Sequence, residues 1–77
     1  MKRFKKPSPE TIKKVRSVFH RLNPREKEVV SLKLGLYGNG ELTLTDIGRR
    51  FLISPERIRQ ILRVAISKIG LFEKFYK

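Results

Sequence analysis

The sequence predicts an all-α fold: a small four-helix domain with a C-terminal helix-turn-helix. Three segments open with a capping residue followed by proline, a pair typical of helix starts: Ser8-Pro9, Asn23-Pro24 and Ser54-Pro55. Behind each pair, apolar residues recur at helical spacing. Gly35 and Gly70 stand where the second and fourth helices should end, because glycine readily adopts the left-handed conformation found after helices. No strand, repeat or low-complexity segment is predicted.

Length, charge and the absence of cysteine limit the class of protein. A chain of 77 residues forms one domain with a modest core. Its 19 Lys and Arg against 7 Asp and Glu give a formal net charge of +12, which implies a polyanionic partner: DNA, RNA or an anionic membrane surface. Without cysteine there is no disulfide, thiolate ligand or thiol nucleophile, which fits a reducing cytoplasm. No signal peptide is visible, and no apolar run approaches the roughly 20 residues that span a bilayer.

Two helices are predicted in the first half of the chain. The first covers roughly residues 9–21, and its apolar stripe consists of Ile12, Val15, Phe19 and Leu22. The second begins after the cap Asn23 and ends at Gly35. Residues 1–8 form a basic arm that we expect to be flexible, and residues 9–77 form the domain. The basic residues of the arm either contact phosphate or only keep the protein soluble; they are Lys2, Arg3, Lys5 and Lys6.

A short helix and a longer helix follow the turn-rich loop 37–41. Thr43 caps the short helix, and Asp46 three residues later completes an approximate capping box. A turn of about three residues leads to Ser54, the cap of a helix over about residues 55–69. This order is the helix-turn-helix arrangement, in which the second helix lies in the major groove of DNA. Gly48 either lets the longer helix cross close by or is merely a tolerated helix glycine.

The fourth helix has an apolar stripe and an opposite polar face. The stripe consists of Ile58, Ile61, Leu62, Ala65 and Ile69. The polar face consists of Glu56, Gln60, Arg63 and Ser67, with Arg57 and Arg59 on its flanks. Such side chains can hydrogen-bond base edges and phosphates, although a solvated amphipathic helix has the same pattern.

From Leu22 to about Ile69, the chain resembles region 4 of bacterial sigma factors, the domain that recognises the promoter −35 element. The matching motifs are Leu22-x-Pro24-Arg25-Glu26, Leu34-Gly35-Leu36, Thr43-Leu44-x-x-Ile47-Gly48-x-x-Phe51 and Glu56-Arg57-Ile58-Arg59-Gln60-Ile61. The LuxR-type response regulator domains are similar more distantly. Their loop before the helix-turn-helix is shorter, and they lack the Arg-Gln-Ile ending.

The resemblance implies roles for individual residues. Glu56 and Gln60 match residues that contact −35 base edges; an amide can bond adenine and a carboxylate can accept from cytosine. We add Arg63, from the same polar face, to this base-reading set. The predicted phosphate-binding set contains two residues at the start of the third helix, where free amides can hold an anion, and three arginines: Thr43, Leu44, Arg25, Arg57 and Arg59. For each arginine, solvent exposure or an intramolecular ion pair is the alternative.

Three residues of the fourth helix depart from the family pattern. Pro55 stands where primary sigma factors usually carry an arginine that reads a guanine, so a preference for the usual −35 hexamer is not implied. Leu62 replaces a usual glutamate, and we interpret it as an enlargement of the core stripe. Val64 replaces a usual lysine and indicates a protein contact.

The C-terminal tail, residues 71–77, is rich in aromatic side chains. We expect it to fold back over the first helix. The alternative is an apolar patch for a partner, in which case Phe72, Phe75 and Tyr76 join Val64 as protein contacts.

An enzyme is not predicted. His20 is the sole histidine and has no nucleophile or metal-ligand cluster nearby in sequence, so we place it on the surface or at the edge of the core. No metal or cofactor is expected.

The leading hypothesis is a sequence-preferring DNA-binding protein of transcription, a monomer in the cytoplasm of a bacterial or phage-infected cell. Its expected partners are double-stranded DNA and the β flap of RNA polymerase. The alternatives are a polymerase- or sigma-binding protein with incidental DNA contact, an independent LuxR-type regulator, and a nonspecific nucleic-acid binder. A complete sigma factor needs a further domain, so we expect either a fragment or a stand-alone co-regulator. Met1 and the basic start favour a natural beginning.

Overall fold

Five α-helices and one short 3₁₀ helix make up most of the computed structural model, which describes Phe4, residues 7–38 and residues 40–76. In chain order they are α1 (Pro9–Ser17), the 3₁₀ helix (Phe19–Arg21), α2 (Pro24–Leu34), α3 (Leu44–Phe51), α4 (Pro55–Lys68) and α5 (Phe72–Phe75). The predicted all-α fold is confirmed, and α3 and α4 form its helix-turn-helix. None of the described helices is both long enough and apolar enough to cross a membrane.

The first helix is shorter than predicted. The hydroxyl of Ser17 donates to the carbonyl oxygen of Lys14 at 2.8 Å, a bond that competes with the helical ladder. The amide of Val18 is shared between the carbonyl oxygens of Lys14 and Val15 at 3.3 and 3.2 Å. The chain then tightens into the 3₁₀ helix, so the predicted segment 9–21 is an α-helix only as far as Ser17.

Each of the four longer helices begins at the predicted cap. The side chains of Ser8, Asn23, Thr43 and Ser54 accept hydrogen bonds from amides three residues later, at 2.8 to 3.2 Å. The Thr43–Asp46 capping box is complete, because Asp46 also accepts from the Thr43 amide at 3.3 Å. A second box, not predicted, joins Asn23 to Glu26. Each cap contributes about 1 kcal/mol to helix stability. Because only a few residue types can make this contact, the helix starts could be predicted from the sequence.

The core lies around α4, which packs on α2, α3 and α5. Its buried apolar side chains are Val15, Leu22, Val29, Val30, Ile47, Ile58, Ile61, Leu62, Ala65, Ile66, Ile69, Phe75 and Tyr76. Leu62 is only 2% exposed, so the interpretation that it enlarges the core stripe is confirmed. Because α4 touches most of the core with one face, only its opposite face is available to a ligand.

The turn between α3 and α4 depends on Gly48. A Cβ built on Gly48 would lie 2.6 Å from the carbonyl oxygen of Ile53, too close for any other residue without a backbone shift. The close approach predicted for this glycine is therefore present, but the neighbour is the turn rather than the body of α4. Leu52 adopts the left-handed conformation, with φ at +58°, and the Ile53 amide donates to the Gly48 carbonyl oxygen at 3.0 Å.

Described residues near the two ends of the chain meet in what we call the terminal aromatic cluster: Phe4, Phe72, Phe75 and Tyr76. The ring of Phe4 stacks on Phe75, with centroids 5.6 Å apart, and meets Tyr76 edge-on at 5.5 Å. Phe72 stacks on Tyr76 at 4.7 Å. An isolated antiparallel bridge pairs Phe4 with Tyr76. The tail thus packs against α4 and Phe4, whereas the sequence analysis placed it over the first helix.

Two predictions about the chain ends need correction. Phe4 lies in the segment that the sequence predicts to be a flexible arm, yet its ring is packed in the terminal aromatic cluster. Phe75 and Tyr76 were candidate partner contacts, but burial in the core removes them from the surface. The basic residues of the predicted arm, Lys2, Arg3, Lys5 and Lys6, lie outside the described residues.

Candidate nucleic-acid interface

The outer face of α4 carries the predicted base-reading residues. Glu56, Gln60 and Arg63 are all exposed on this helix, and so are Arg57 and Arg59. The Ser54 cap and Pro55 fix the first turn, since the Arg57 amide donates to the Ser54 hydroxyl at 3.1 Å. The start of α4 is therefore a defined helical turn, from which Glu56, Arg57 and Gln60 project.

Two pairs of side chains interact along this face. The guanidinium of Arg59 lies 3.2 Å from the Glu56 carboxylate, and Arg57 donates to the Gln60 amide oxygen at 3.3 Å. For Arg59, the alternative to phosphate binding, an intramolecular ion pair, is therefore present in the structure. Both contacts are exposed, and exposed ion pairs contribute only about 0–1 kcal/mol, so these side chains can exchange partners with little loss of stability.

Arg63 points towards the end of the chain rather than towards Gln60. Its guanidinium lies over the ring of Phe72, 5.8 Å from the centroid, and over Tyr76 at 5.6 Å. Cation–π contacts of this kind contribute about 0.5–1 kcal/mol at exposed sites. A base contact by Arg63 would have to break them. Arg63 thus remains a predicted base reader, and like Glu56 and Gln60 it would exchange a weak exposed contact for one with DNA.

A groove between the start of α2 and α4 gathers residues that are far apart in sequence. It has a volume of about 410 Å³, and its lining residues are Asn23, Arg25, Glu26, Ile53, Arg57, Gln60, Ile61 and Val64. We call it the α2–α4 groove. The Arg25 guanidinium lies 4.8 Å from the centre of the Phe51 ring, which ties α2 to α3. Two predicted phosphate ligands, Arg25 and Arg57, thus line one groove with the predicted base reader Gln60.

The start of α3 is a less open anion site than the sequence suggested. The Thr43 hydroxyl and amide are both engaged in the capping box with Asp46, and the Leu44 side chain is half-buried. Hydrogen bonds from Thr43 lower the pKa of Asp46, so a carboxylate is present at this helix start at neutral pH. That negative charge opposes a phosphate. Thr43 and Leu44 remain predicted phosphate contacts, although the Asp46 carboxylate would repel a phosphate bound there.

An ion pair that the sequence analysis missed supports the groove. The Glu26 carboxylate, whose side chain is 7% exposed, lies 2.9 Å from the ammonium of Lys68 near the end of α4. Burial acts to raise the pKa of Glu26, but hydrogen bonds from Lys68 and Asn23 outweigh it and lower the pKa below its ordinary value. The pair fixes the start of α2 against α4. The sequence near Glu26 indicates its capping role with Asn23. It does not indicate the ion pair, because Lys68 is 42 residues away.

A second groove, also missed, lies between α2 and α3, and we call it the α2–α3 groove. Its volume is about 510 Å³, and its lining residues are Glu28, Ser31, Leu32, Tyr37, Arg50 and Phe51. Tyr37 is 73% exposed. The hydroxyl of Ser31 is buried and finds no hydrogen-bond partner among the described residues. The groove thus has an apolar wall, and the Ser31 hydroxyl is buried beneath its surface.

The remaining candidate residues are divided between surface and core. Val64 is 52% exposed on α4, and Phe72 is half-buried. In the part of the chain that the structure describes, no three His, Cys, Asp or Glu side chains come together as a metal ion would require. The face of α4 and the two grooves are therefore the features on which a function can be argued.

Comparison with known proteins shows which family and which relatives the sequence is similar to. Residues 18–69 match the family described as Sigma-70, region 4. The chain is 42% identical over 53 residues to the RNA polymerase sigma-B factor of Nostoc sp., covering 69% of this chain and 16% of that protein. It is 44% identical over 53 residues to the RNA polymerase sigma factor SigA4 of Synechococcus elongatus, covering 69% of this chain and 17% of the relative. The RpoD sigma factor of Neisseria gonorrhoeae is 37% identical over 54 residues, which are 70% of this chain and 8% of that protein. The chain thus spans less than a fifth of the length of these relatives.

Proposed function

The chain belongs to the sigma-70 region 4 family, a family of DNA-binding domains rather than of enzymes, and we propose that it docks α4 in the major groove of a promoter −35-like element. The observation that carries this proposal is the α2–α4 groove. There Gln60, which can read a base, stands beside two arginines that can hold the DNA backbone, Arg25 and Arg57. The net charge of +12 supports the same partner, because phosphate contacts supply most of the affinity in protein–DNA complexes.

Base reading falls to two residues of the exposed face. Gln60 can bond bidentately to adenine, and Glu56 can accept from the amino group of cytosine. In the free protein Arg57 contacts Gln60 and Arg59 contacts Glu56. When the two arginines turn to phosphate, they release Gln60 and Glu56 for the bases. Pro55 cannot supply the guanine contact that an arginine makes in primary sigma factors. The selected sequence should therefore differ from the usual −35 hexamer at that position.

The test is selection of binding sites from a random duplex pool, followed by titrations with each base substituted. Gln60→Ala should lose discrimination at one base position, by about 1–3 kcal/mol, and keep its discrimination at the other positions of the site. Arg57→Gln is the matched control. It should weaken all duplexes alike and reduce the salt slope by about one. Equal weakening of all sequences by Gln60→Ala would contradict base reading, and a pool without enrichment would favour the nonspecific binder.

The second part of the proposal is contact with the β flap of RNA polymerase, through the α2–α3 groove. Tyr37, Leu32 and Phe51 give this groove an apolar wall on the surface of a strongly basic domain. Such a wall fits an apolar protein segment better than it fits a nucleic acid. We expect the protein to act as a monomer in the bacterial or phage-infected cytoplasm.

A titration against the isolated flap domain, followed by fluorescence, tests this contact. Saturable binding is expected, and Tyr37→Ser should weaken it because this ring is exposed and its loss spares the core. Ser67→Ala is the control, since Ser67 is also exposed but lies on α4, outside the α2–α3 groove. Absence of flap binding by a folded sample would favour an independent regulator. Flap binding without any preferred DNA site would favour the alternative of a polymerase-binding protein whose DNA contact is incidental.

A further inference from the structure

We propose that Val64 determines sequence specificity by packing its methyl groups against the C5-methyl group of a thymine in the major groove. This inference rests on the proposed function, since it requires α4 to lie in that groove. It assigns to Val64 a DNA contact in place of the protein contact that the sequence indicated.

Val64 lies on the same side of α4 as the predicted base reader Gln60. Arg57, Gln60 and Val64 are spaced three and four residues apart on α4, so they lie one above another on one side of the helix. All three line the α2–α4 groove. A surface that brings the Gln60 amide to a base edge therefore brings the Val64 side chain to the same DNA groove.

Val64 is also an exposed apolar side chain. Ile61, its apolar neighbour in the groove wall, is only 9% exposed, whereas Val64 is 52% exposed. The residues one turn to either side on this face, Gln60 and Ser67, are polar. Val64 is thus an apolar point on a polar face. Among the groups that base pairs present in the major groove, the thymine methyl is the apolar one, and it is read by apolar side chains.

Helix geometry predicts where the thymine lies. Gln60 and Val64 are four residues apart, which is a rise of about 6 Å along an α-helix. Successive base pairs are about 3.4 Å apart along each strand. The thymine read by Val64 should therefore lie within about two base pairs of the base read by Gln60.

The experiment replaces thymine by uracil, which removes the methyl group and keeps every hydrogen-bonding group. Each thymine of the selected duplex is substituted in turn, and binding is measured by fluorescence anisotropy. One substitution, near the base read by Gln60, should weaken binding about fourfold, the effect of one methyl group removed from water. Val64→Ala should abolish this difference between thymine and uracil. Val64→Thr, which keeps one methyl group, should retain part of it.

Gln60→Ala is the matched control on the same side of α4. It should lose base discrimination at its own position and keep the difference between thymine and uracil. Val64 is half-exposed and alanine is a better helix former, so the Val64→Ala protein should fold.

Each outcome decides between the inference and its premise. Equal binding of all uracil duplexes by a protein that still selects a site would overturn the role of Val64 and leave the proposed function intact. A thymine preference that survives in Val64→Ala would assign the methyl contact to another residue. If no site is selected at all, the proposed function fails and the inference fails with it.

Discussion

The helix-turn-helix junction and the terminal aromatic cluster hold opposite ends of α4 by different means. At the junction, backbone groups meet at short range. The Ile53 carbonyl oxygen lies against Gly48, where the Cβ of any other residue would collide with it. At the other end, Phe4 and Tyr76 pack side chains from the two termini of the chain. The junction therefore fixes the direction in which α4 leaves α3, whereas the cluster contributes buried apolar area. Damage to the first should alter what α4 recognises, and damage to the second should mainly lower stability.

The largest effect is expected in the terminal aromatic cluster. Phe75 is fully buried, so Phe75→Ala should lower the free energy of unfolding by about 3–5 kcal/mol, the cost of losing a core aromatic ring. Chemical denaturation measures this loss. Phe72→Ala is the control, because Phe72 is only half-buried and should cost less. Folded Phe75→Ala protein should keep the DNA site preference of the parent, and a changed preference would show that the cluster also orients α4.

A smaller loss of stability, with a larger effect on recognition, is expected at the junction. Gly48→Ala places a Cβ against the Ile53 carbonyl oxygen and should cost about 1–3 kcal/mol through the forced backbone shift. Because the shift changes the angle between α3 and α4, discrimination among DNA sites should fall in the folded protein. Site selection with the variant checks this. Full retention of both stability and site preference would mean that the turn adjusts without moving α4.

The ion pair between α2 and α4 should make stability depend on pH. The pKa of Glu26 is lowered in the folded state, so its contribution is fully present above its ordinary value of 4.5 and is lost as the pH falls through the folded pKa. Glu26→Gln should remove about 1 kcal/mol at neutral pH, since Lys68 is nearly half exposed and the pair is partly screened. Denaturation at pH 7 and pH 3 should show a smaller difference between the two pH values for the variant. An unchanged pH dependence would assign the acid loss to other carboxylates, such as Asp46.

The two regions also differ in how far the sequence could predict them. Helix starts depend on hydrogen bonds between residues three apart, so Ser54, Thr43 and Asn23 carried enough local information to place them. The same holds for the face of α4, since its periodicity alone separates Ile58 from Gln60.

The cluster and the ion pair lack such a local signal. Phe4 meets Tyr76 only because the fold joins the chain ends, and Lys68 meets Glu26 from 42 residues away. The direction of Arg63 follows from these long-range contacts, because its guanidinium lies over tail rings whose position the sequence did not predict. Candidate site residues could therefore be named from their place on α4, but which of them are free to turn towards DNA depends on tertiary packing.

The smallest expected effect isolates backbone conformation at the junction from packing. Leu52 is 90% exposed and has a φ of +58°, a conformation that costs a residue with a side chain about 1–2 kcal/mol. Leu52→Gly should remove that cost. Glycine also has more conformational freedom in the unfolded chain, so the net gain in the free energy of unfolding should be about 0.5–1 kcal/mol. Leu52→Ala is the control: it removes the same exposed side chain but keeps the strain, so thermal unfolding should change little. If Leu52→Ala stabilised the protein as much as Leu52→Gly, the exposed side chain rather than the left-handed backbone would be the source of the cost.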